Sequence, residues 1–321
     1  MHYRRLTRLL VAIVLATLWT SVSFAQEFPS KVVRLIVPYG PGGPVDILAR
    51  ILGERMAPKL GKPVIIETKP GANTLVGTRV VLEAPADSHT LFLETSSVAS
   101  NLLLVKDPGY VLDDFVPIVA VGALPIVFVV SSSLPVKTIP EFVKYLKDRP
   151  GKTNYATTGS FTELLSDRFT SVAGVKMVAV PYKGSNEALV AVMSDDVQTF
   201  SSGISSALPM IKSGKLRPLA VASEQRSALL PDVPTFKEIG YPDMLGATWM
   251  AVSVRAKTPP SAIDKLRQVL VEIVNSEDYR TKITNIGIDV WATKPEELQA
   301  FIKNDLSLSE KDVKRIGRKP E

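Results

Sequence analysis

Residues 37–46, VPYGPGGPVD, join the apolar, β-branched run KVVRLIV (31–37) to the helical run ILARILGERM (47–56). Three glycines and three prolines crowd into this junction. Glycine lets backbone amides approach a ligand closely, and a helix that begins after such a loop presents unpaired N–H groups. The junction therefore predicts a strand, a ligand-contacting loop and a helix, in that order.

Short β-branched runs and helical runs go on alternating along the chain, which predicts an α/β fold with a mainly parallel sheet. The helix after Thr138 is marked by a capping box with Glu141, and the last residues, PEELQAFIKNDLSLSEKDVKRIG, predict a closing amphipathic helix. The predicted strands are 31–37, 63–68, 90–95, 116–122, 125–131, 153–157, 176–182, 197–201, 217–223 and 247–254.

Two stretches resemble connections between lobes. One is AVGALPIVFVV (120–130), and the other is PDVPTFKEIGYPDM (231–244), which leads into Trp249. If both cross, we expect a discontinuous first lobe of residues 26–124 plus 250–321, and a second lobe of residues 125–249.

The first 25 residues predict an export signal. A basic start is followed by an apolar stretch from Leu9 to Leu18 and by the small-x-small site Ser23-Phe24-Ala25, so cleavage is expected before Gln26. The chain has no cysteine, which excludes disulfides, thiolate metal sites and a lipid-anchored cysteine. An exported protein without a membrane anchor stays with its cell only if a compartment retains it, and we expect that compartment to be the periplasm.

Charge argues against nucleic acid as a partner. The net charge is +6, and three of the arginines lie in the predicted signal, which leaves +3. No basic stripe with interleaved aromatic residues accompanies this small excess.

Enzyme motifs are weak. Residues 40–45, GPGGPV, imitate a dinucleotide fingerprint, but valine replaces the third glycine, and Pro41 and Pro44 each remove an amide. No G-x-S-x-G elbow occurs, and His89 is the one histidine after the signal, in a turn before a strand. No acidic metal-binding loop appears. We therefore predict no catalytic residue, no metal site and no cofactor.

Loops rich in Gly, Ser and Thr follow several predicted strands. In a parallel sheet, strand ends gather along one edge, and the helices that follow point their N-termini at it. Such loops could together hold an anion without a committed arginine or lysine. They are PYGPGG (38–43), TSS (95–97), TTGSF (157–161), KGSN (183–186) and SSGISS (201–206).

Several segments together resemble the receptors of tripartite tricarboxylate transporters, also called Bug proteins, in order and over essentially the whole chain after the signal. They include VPYGPGGPVDILAR (37–50), KPGANTLVGTRVV (69–81), APADSHTLFL (84–93) and VPYKGSNEAL (180–189). The resemblance implies a type II periplasmic binding protein fold whose two lobes, joined by crossing strands, close on a small organic acid. It also implies the contact residues, which are Tyr39, Pro41, Gly42, Gly43, Thr95 and Ser96 in the first lobe and Thr157, Gly159, Ser160, Phe161, Ser185, Ser202 and Gly203 facing them.

Three places depart from the family pattern. Residues 71–77, GANTLVG, stand where a glycine-richer GAGGNIG is common, so we expect residues 73–75 to pack differently. His89 stands at a position that is usually aromatic, which favours a structural role for it. Ser202 stands where aspartate is common, which removes a partner for a ligand ammonium and favours a plain carboxylate over an amino acid.

The leading hypothesis is a monomeric, non-enzymatic periplasmic receptor that captures a mono-, di- or tricarboxylate, aromatic ones such as terephthalate included, and delivers it to the transporter's membrane permease. One alternative is a secreted α/β enzyme, similar to an oxidoreductase, that uses the glycine loop. Another is a receptor that feeds a sensor kinase.

Overall fold

The computed structural model describes residues 28–291 and 295–320, so the predicted export signal and its cleavage site lie outside the described residues. Nine strands are found in this part of the chain. They are β1 (Val33–Val37), β2 (Val64–Thr68), β3 (Thr90–Thr95), β4 (Phe115–Ser131), β5 (Asn154–Thr157), β6 (Val178–Pro181), β7 (Thr199–Gly203), β8 (Leu216–Val221) and β9 (Ala247–Arg255).

Helices fill most of the connections, and a short 3-10 turn, Leu112–Asp114, precedes β4. The helices are α1 (Pro44–Leu60), α2 (Leu75–Glu83), α3 (Ser96–Leu104), α4 (Ile139–Lys147), α5 (Ser160–Ala173), α6 (Ser185–Met193), α7 (Ile204–Lys212), α8 (Pro260–Asn275), α9 (Glu277–Asn285) and α10 (Pro295–Ile316).

The sheet path runs β2-β1-β3-β9-β4-β7-β5-β6, and β8 also pairs with β4. The pairs β1–β2, β1–β3, β5–β6 and β5–β7 are parallel. The pairs β3–β9, β4–β7, β4–β8 and β4–β9 are antiparallel. The prediction of a mainly parallel sheet is therefore wrong for its centre, because the long strands β4 and β9 run against their neighbours.

Strand β4 connects the two halves of the molecule. The sequence suggests two apolar runs broken near Gly122 and Pro125, but the structure has one continuous strand. Residues 115–125 of β4 pair with β9, and residues 126–131 pair with β7 and β8. Neither Gly122 nor Pro125 interrupts the strand, since the backbone groups around them are held by β9.

Each half has its own hydrophobic core. Helices α1 and α8 bury Leu48, Leu52 and Leu266 against β1, β3 and β9. In the other half, Phe128 on β4 meets Phe169 and Phe236 in edge-to-face contacts. Packing of this kind is worth roughly 0.5–1.5 kcal/mol per aromatic pair beyond the buried area.

Helix α10 confirms the predicted closing helix and contacts both halves. Its Leu298 and Ile302 pack with Trp249 of β9. Farther along, Val313 packs between Leu104 of α3 and Leu164 of α5. No helix in the two described ranges is both long and apolar enough to cross a membrane.

His89 has the structural surroundings that its turn position favours. The side chain is buried, and its Nε2 accepts a hydrogen bond from the Ser30 amide at 3.1 Å. Its ring meets Phe28 edge to face. His89 thus holds the start of the described chain against the first half of the molecule.

Candidate functional site

The five helices that follow the loops rich in Gly, Ser and Thr all start without a side-chain cap. Helices α2 and α8 also lack one. Most helices use a Ser, Thr, Asp or Asn side chain to bind the free amides of the first turn, as Thr138 does for α4 and Ser276 does for α9. At these five starts the N-cap side chain accepts no such bond, so the first-turn amides need another acceptor. In α5 the Phe161 amide finds one in Ser97 Oγ. These N-cap residues are Gly43, Thr95, Gly159, Gly184 and Gly203, before α1, α3, α5, α6 and α7.

Two of these five starts also lack a compensating negative charge. Asp46, Glu163 and Glu187 stand in the first turns of α1, α5 and α6, where a carboxylate balances the positive end of the helix dipole. Helices α3 and α7 have no acidic residue in their first turns. Their N-termini are therefore the unbalanced positive ends of the group.

The start of α7 opens onto a cavity of about 370 Å³ between the two halves. The hydroxyl oxygens of Ser205 and Ser206 are buried, and neither has a hydrogen-bond partner in the described part of the chain. Both serines line the cavity. The complete lining is Gly42, Pro44, Ile47, Asn186, Ser205, Ser206, Leu208, Pro209, Met210, Asn285 and Ile286.

The start of α3 is buried at a contact between the lobes. Ser96 is fully buried, and its hydroxyl has no partner among the described residues. The Tyr39 hydroxyl bonds the Thr95 hydroxyl at 3.1 Å, and burial raises the pKa of Tyr39, which keeps the phenol protonated. This end of the site offers hydroxyl groups without a formal charge.

Three contacts close the gap between the lobes here. The Phe161 amide donates to Ser97 Oγ at 3.3 Å, and the Ser160 hydroxyl donates to Asn101 Oδ1. The Gly40 amide donates to the Lys183 carbonyl oxygen at 3.1 Å. The two lobes therefore touch through backbone and short polar side chains.

The sequence-predicted contact residues fall into two groups. Gly42 lines the cavity, and Ser185, Ser202 and Gly203 lie within three residues of the lining residues Asn186 and Ser205. The other group lies at or beside this buried contact between the lobes or at the start of α1. It comprises Tyr39, Pro41, Gly43, Thr95, Ser96, Thr157, Gly159, Ser160 and Phe161.

In the group at or near the cavity, one backbone amide and one hydroxyl already make hydrogen bonds within the protein. The Gly42 amide, a predicted ligand donor, donates to Asp46 Oδ2 at 2.9 Å. The Ser202 hydroxyl donates to the Gly203 carbonyl oxygen at 3.1 Å. Gly42 keeps its special conformation, with φ of +76°, which few other residues adopt without strain.

Sequence reasoning missed most of the cavity lining. Asn186, Ser205 and Ser206 lie inside the loops KGSN and SSGISS, so their position at helix starts was the available signal. Asn285 and Ile286 come from the end of α9, far along the chain, and no local pattern marks them.

Comparison with known proteins gives the family. The family model described as "Tripartite tricarboxylate transporter family receptor" matches residues 48–318. Protein BugT of Bordetella pertussis is 32% identical over 322 residues, covering 98% of this chain and 99% of BugT.

Two solved structures share the fold. R. palustris Rpa4515 with adipate superposes with a TM-score of 0.87 at 28% identity, covering 92% of this chain and all of that one. MatC from Rhodopseudomonas palustris with bound malate gives 0.84 at 28% identity, covering 89% and 100%. The predicted two-lobed α/β binding-protein fold is thereby confirmed. The chain belongs to the family of tripartite tricarboxylate transporter receptors.

Proposed function

We propose that this protein is a periplasmic receptor that binds a small organic carboxylate between its lobes and delivers it to the permease of a tripartite tricarboxylate transporter. The observation that carries the proposal is the start of α7. There, an uncapped and unbalanced helix N-terminus and two serines, whose buried hydroxyls have no partner among the described residues, line one interlobe cavity.

These groups suit a carboxylate. A helix N-terminus stabilises a neighbouring anion by roughly 0.3–1 kcal/mol when exposed, and by up to about 2 kcal/mol when partly buried. Hydrogen bonds to a charged group add roughly 1.5–3 kcal/mol each. Two such hydrogen bonds and one helix start sum to roughly 3–8 kcal/mol, which corresponds to a Kd between about millimolar and micromolar before the entropic cost of association.

Related receptors support the ligand class. Rpa4515 was solved with adipate and MatC with malate, and both ligands are small carboxylates. The lining of the cavity carries no charged side chain, which agrees with recognition by amides and hydroxyls.

The mechanism follows from the position of the cavity between the lobes. We place the lobe boundaries at residues 26–124 plus 250–321 and residues 125–249, with cleavage of the signal before Gln26. A ligand that contacts both lobes binds the closed form more tightly than the open one, and so shifts the population toward it. The permease then recognises the closed monomer.

We propose no catalytic activity. The cavity lining has no histidine, carboxylate or lysine that could transfer a proton. A turnover assay of the mature protein with its carboxylate ligand tests the enzyme alternative, since the ligand should be recovered unchanged. Growth on that ligand after deletion of the permease genes separates transport from sensing.

The direct test is a thermal-shift screen of carboxylates with the variant S205A/S206A. A ligand at 100 times its Kd adds about 2.7 kcal/mol to the free energy of unfolding, which should raise Tm by roughly 5 °C. The double variant should lose roughly 10- to 100-fold in affinity. Its ligand-free Tm should stay unchanged or rise, because the hydroxyls it removes are buried without partners.

The matched control is S213A, which makes the same change at the far, exposed end of α7. It should bind like the natural chain. If the double variant kept full affinity, or if it lost its ligand-free stability, the two serines would be structural and this site would be wrong.

A further inference from the structure

The lining that α7 contributes to the cavity changes from polar to apolar along the helix. Ser205 and Ser206 stand in its first turn, and Leu208, Pro209 and Met210 follow in the next, all lining the same space. At 1.5 Å of rise per residue, Met210 lies about 6 Å along the axis from Ser206. A ligand whose carboxylate meets the serines thus extends its other end toward apolar side chains.

The opposite wall carries two aliphatic side chains next to the polar Asn285. Ile47 of α1 and Ile286 after α9 come from the first lobe to the same cavity. Ile47 is 39% exposed. A ligand between the lobes would cover it.

No cation is available for a second carboxylate. The lining has no Arg or Lys, and a charged side chain that does bond to a lining residue, Asp46, is itself negative. Asp46 already receives the Gly42 amide and Arg50 Nε, the latter at 3.0 Å. An anion at the apolar end would find no cation, and besides the serines the lining offers it only the neutral side-chain amides of Asn186 and Asn285, so the hydration it loses would be replaced less fully than by an ion pair.

From these observations we infer that the receptor selects monocarboxylates with an uncharged, apolar body, and that Ile47, Met210 and Ile286 contact that body. The inference rests on the proposed carboxylate receptor and narrows its ligand. The cavity of about 370 Å³ is larger than the roughly 150 Å³ cavity that holds benzene in an engineered core, so it can take a benzene ring or a five-carbon chain next to the carboxylate.

The test compares acids that differ only in a second carboxylate. Isothermal titration calorimetry of the mature protein at pH 7.5 would use hexanoate against adipate and benzoate against terephthalate. We expect the monocarboxylate of each pair to bind at least tenfold tighter. We also expect affinity to rise about fourfold per methylene from butanoate to hexanoate, as for buried CH₂ groups.

A substitution at Met210 should shift the preference from the monocarboxylate toward the dicarboxylate. M210K places a cation at the apolar end, so the ratio of adipate to hexanoate affinity should rise at least tenfold. The control S213K adds the same charge to the exposed end of α7 and should leave the ratio unchanged. Circular dichroism and the ligand-free Tm verify that both variants fold.

The outcomes separate this inference from the proposed function. If adipate binds the natural chain as tightly as hexanoate, or if M210K leaves the ratio unchanged, the apolar-body inference is wrong while the carboxylate receptor stands. If none of the four acids nor any other carboxylate binds, both are refuted.

Discussion

Glu94 is a carboxyl group in an unfavourable place. It lies on β3 with 1% of its surface exposed, and one oxygen accepts a hydrogen bond from the Ser253 hydroxyl. The other oxygen has no partner in the described part of the chain. Burial raises the pKa of Glu94 from 4.5 to about 7, against the opposing effect of the Ser253 bond.

This raised pKa predicts a pH-dependent stability. Between pH 4.5 and 7 the folded chain keeps a proton that the unfolded chain has released, so the free energy of unfolding falls as pH rises. The loss from this group should be roughly 2–3 kcal/mol between pH 5 and pH 8. In urea unfolding of E94Q at both pH values, the free energy of unfolding should therefore change less with pH than it does for the natural chain.

Glu83→Gln provides the control, since Glu83 is an exposed carboxyl at the end of α2. It should leave the pH dependence as it is in the natural chain. Equal slopes for E94Q and the natural chain would mean that Glu94 is ionised in the folded protein.

Among the elements, α10 and the residues after it are joined to α5 by ion pairs between side chains. Arg318 pairs with both Glu163 and Asp167, and Arg168 pairs with Asp312. Only 19% of the Arg318 side chain and 9% of the Glu163 side chain are exposed, so these pairs are poorly screened by water. Removing one partner leaves buried charge behind.

We therefore expect R318A to lower the free energy of unfolding by about 2 kcal/mol, somewhat less than the loss for a fully buried pair. Chemical denaturation at pH 7 measures it. R226A is the matched control, because Arg226 pairs with Glu238 where both side chains are more than 40% exposed. R226A should lower the free energy of unfolding by less than about 1 kcal/mol. A decrease as large as that for R318A would contradict the claim that burial strengthens the Arg318 ion pairs.

At the scale of the whole molecule, closure depends on the space beside Gly159. A Cβ atom there would lie 2.6 Å from Ser97 Oγ and 3.4 Å from the Tyr39 hydroxyl, both on the other lobe. The backbone at Gly159 has an extended φ of 172°, which any residue can adopt, so an alanine there adds no backbone strain. Its only expected effect is that the added Cβ prevents the two lobes from approaching so closely.

G159A should consequently weaken carboxylate binding at least tenfold and change the ligand-free Tm little. Small-angle scattering with saturating ligand should show a larger radius of gyration than for the natural protein. G184A is the control, since its Cβ would meet Gly40 Cα at an ordinary 3.6 Å. Normal affinity in G159A would show that ligand binding does not need this contact.

Local features were predictable from the sequence because their causes are local. The Thr138 hydroxyl accepts from the Glu141 amide at 3.3 Å, as the capping box requires, although the Glu141 carboxylate accepts from Lys137 rather than from Thr138. The predicted strands occur within a few residues of their places, except that 116–122 and 125–131 form the single strand β4. The runs could be recognised because β-branched segments bounded by turns need no distant partner. The loops SSGISS and TSS are shorter than expected, because β7 and β3 run directly into α7 and α3.

The order of strands and helices, the family and the glycine-rich helix starts could be read from the sequence. The choice of which starts line an open cavity depends on the fold, because Asn285, Ile286 and Ile47 reach α7 from the other lobe. The fold also brings the Gly42 amide to Asp46 and leaves the hydroxyls of Ser205 and Ser206 without partners among the described residues. Whether a polar group is satisfied depends on what the fold brings within about 3 Å of it, and no local pattern carries that information.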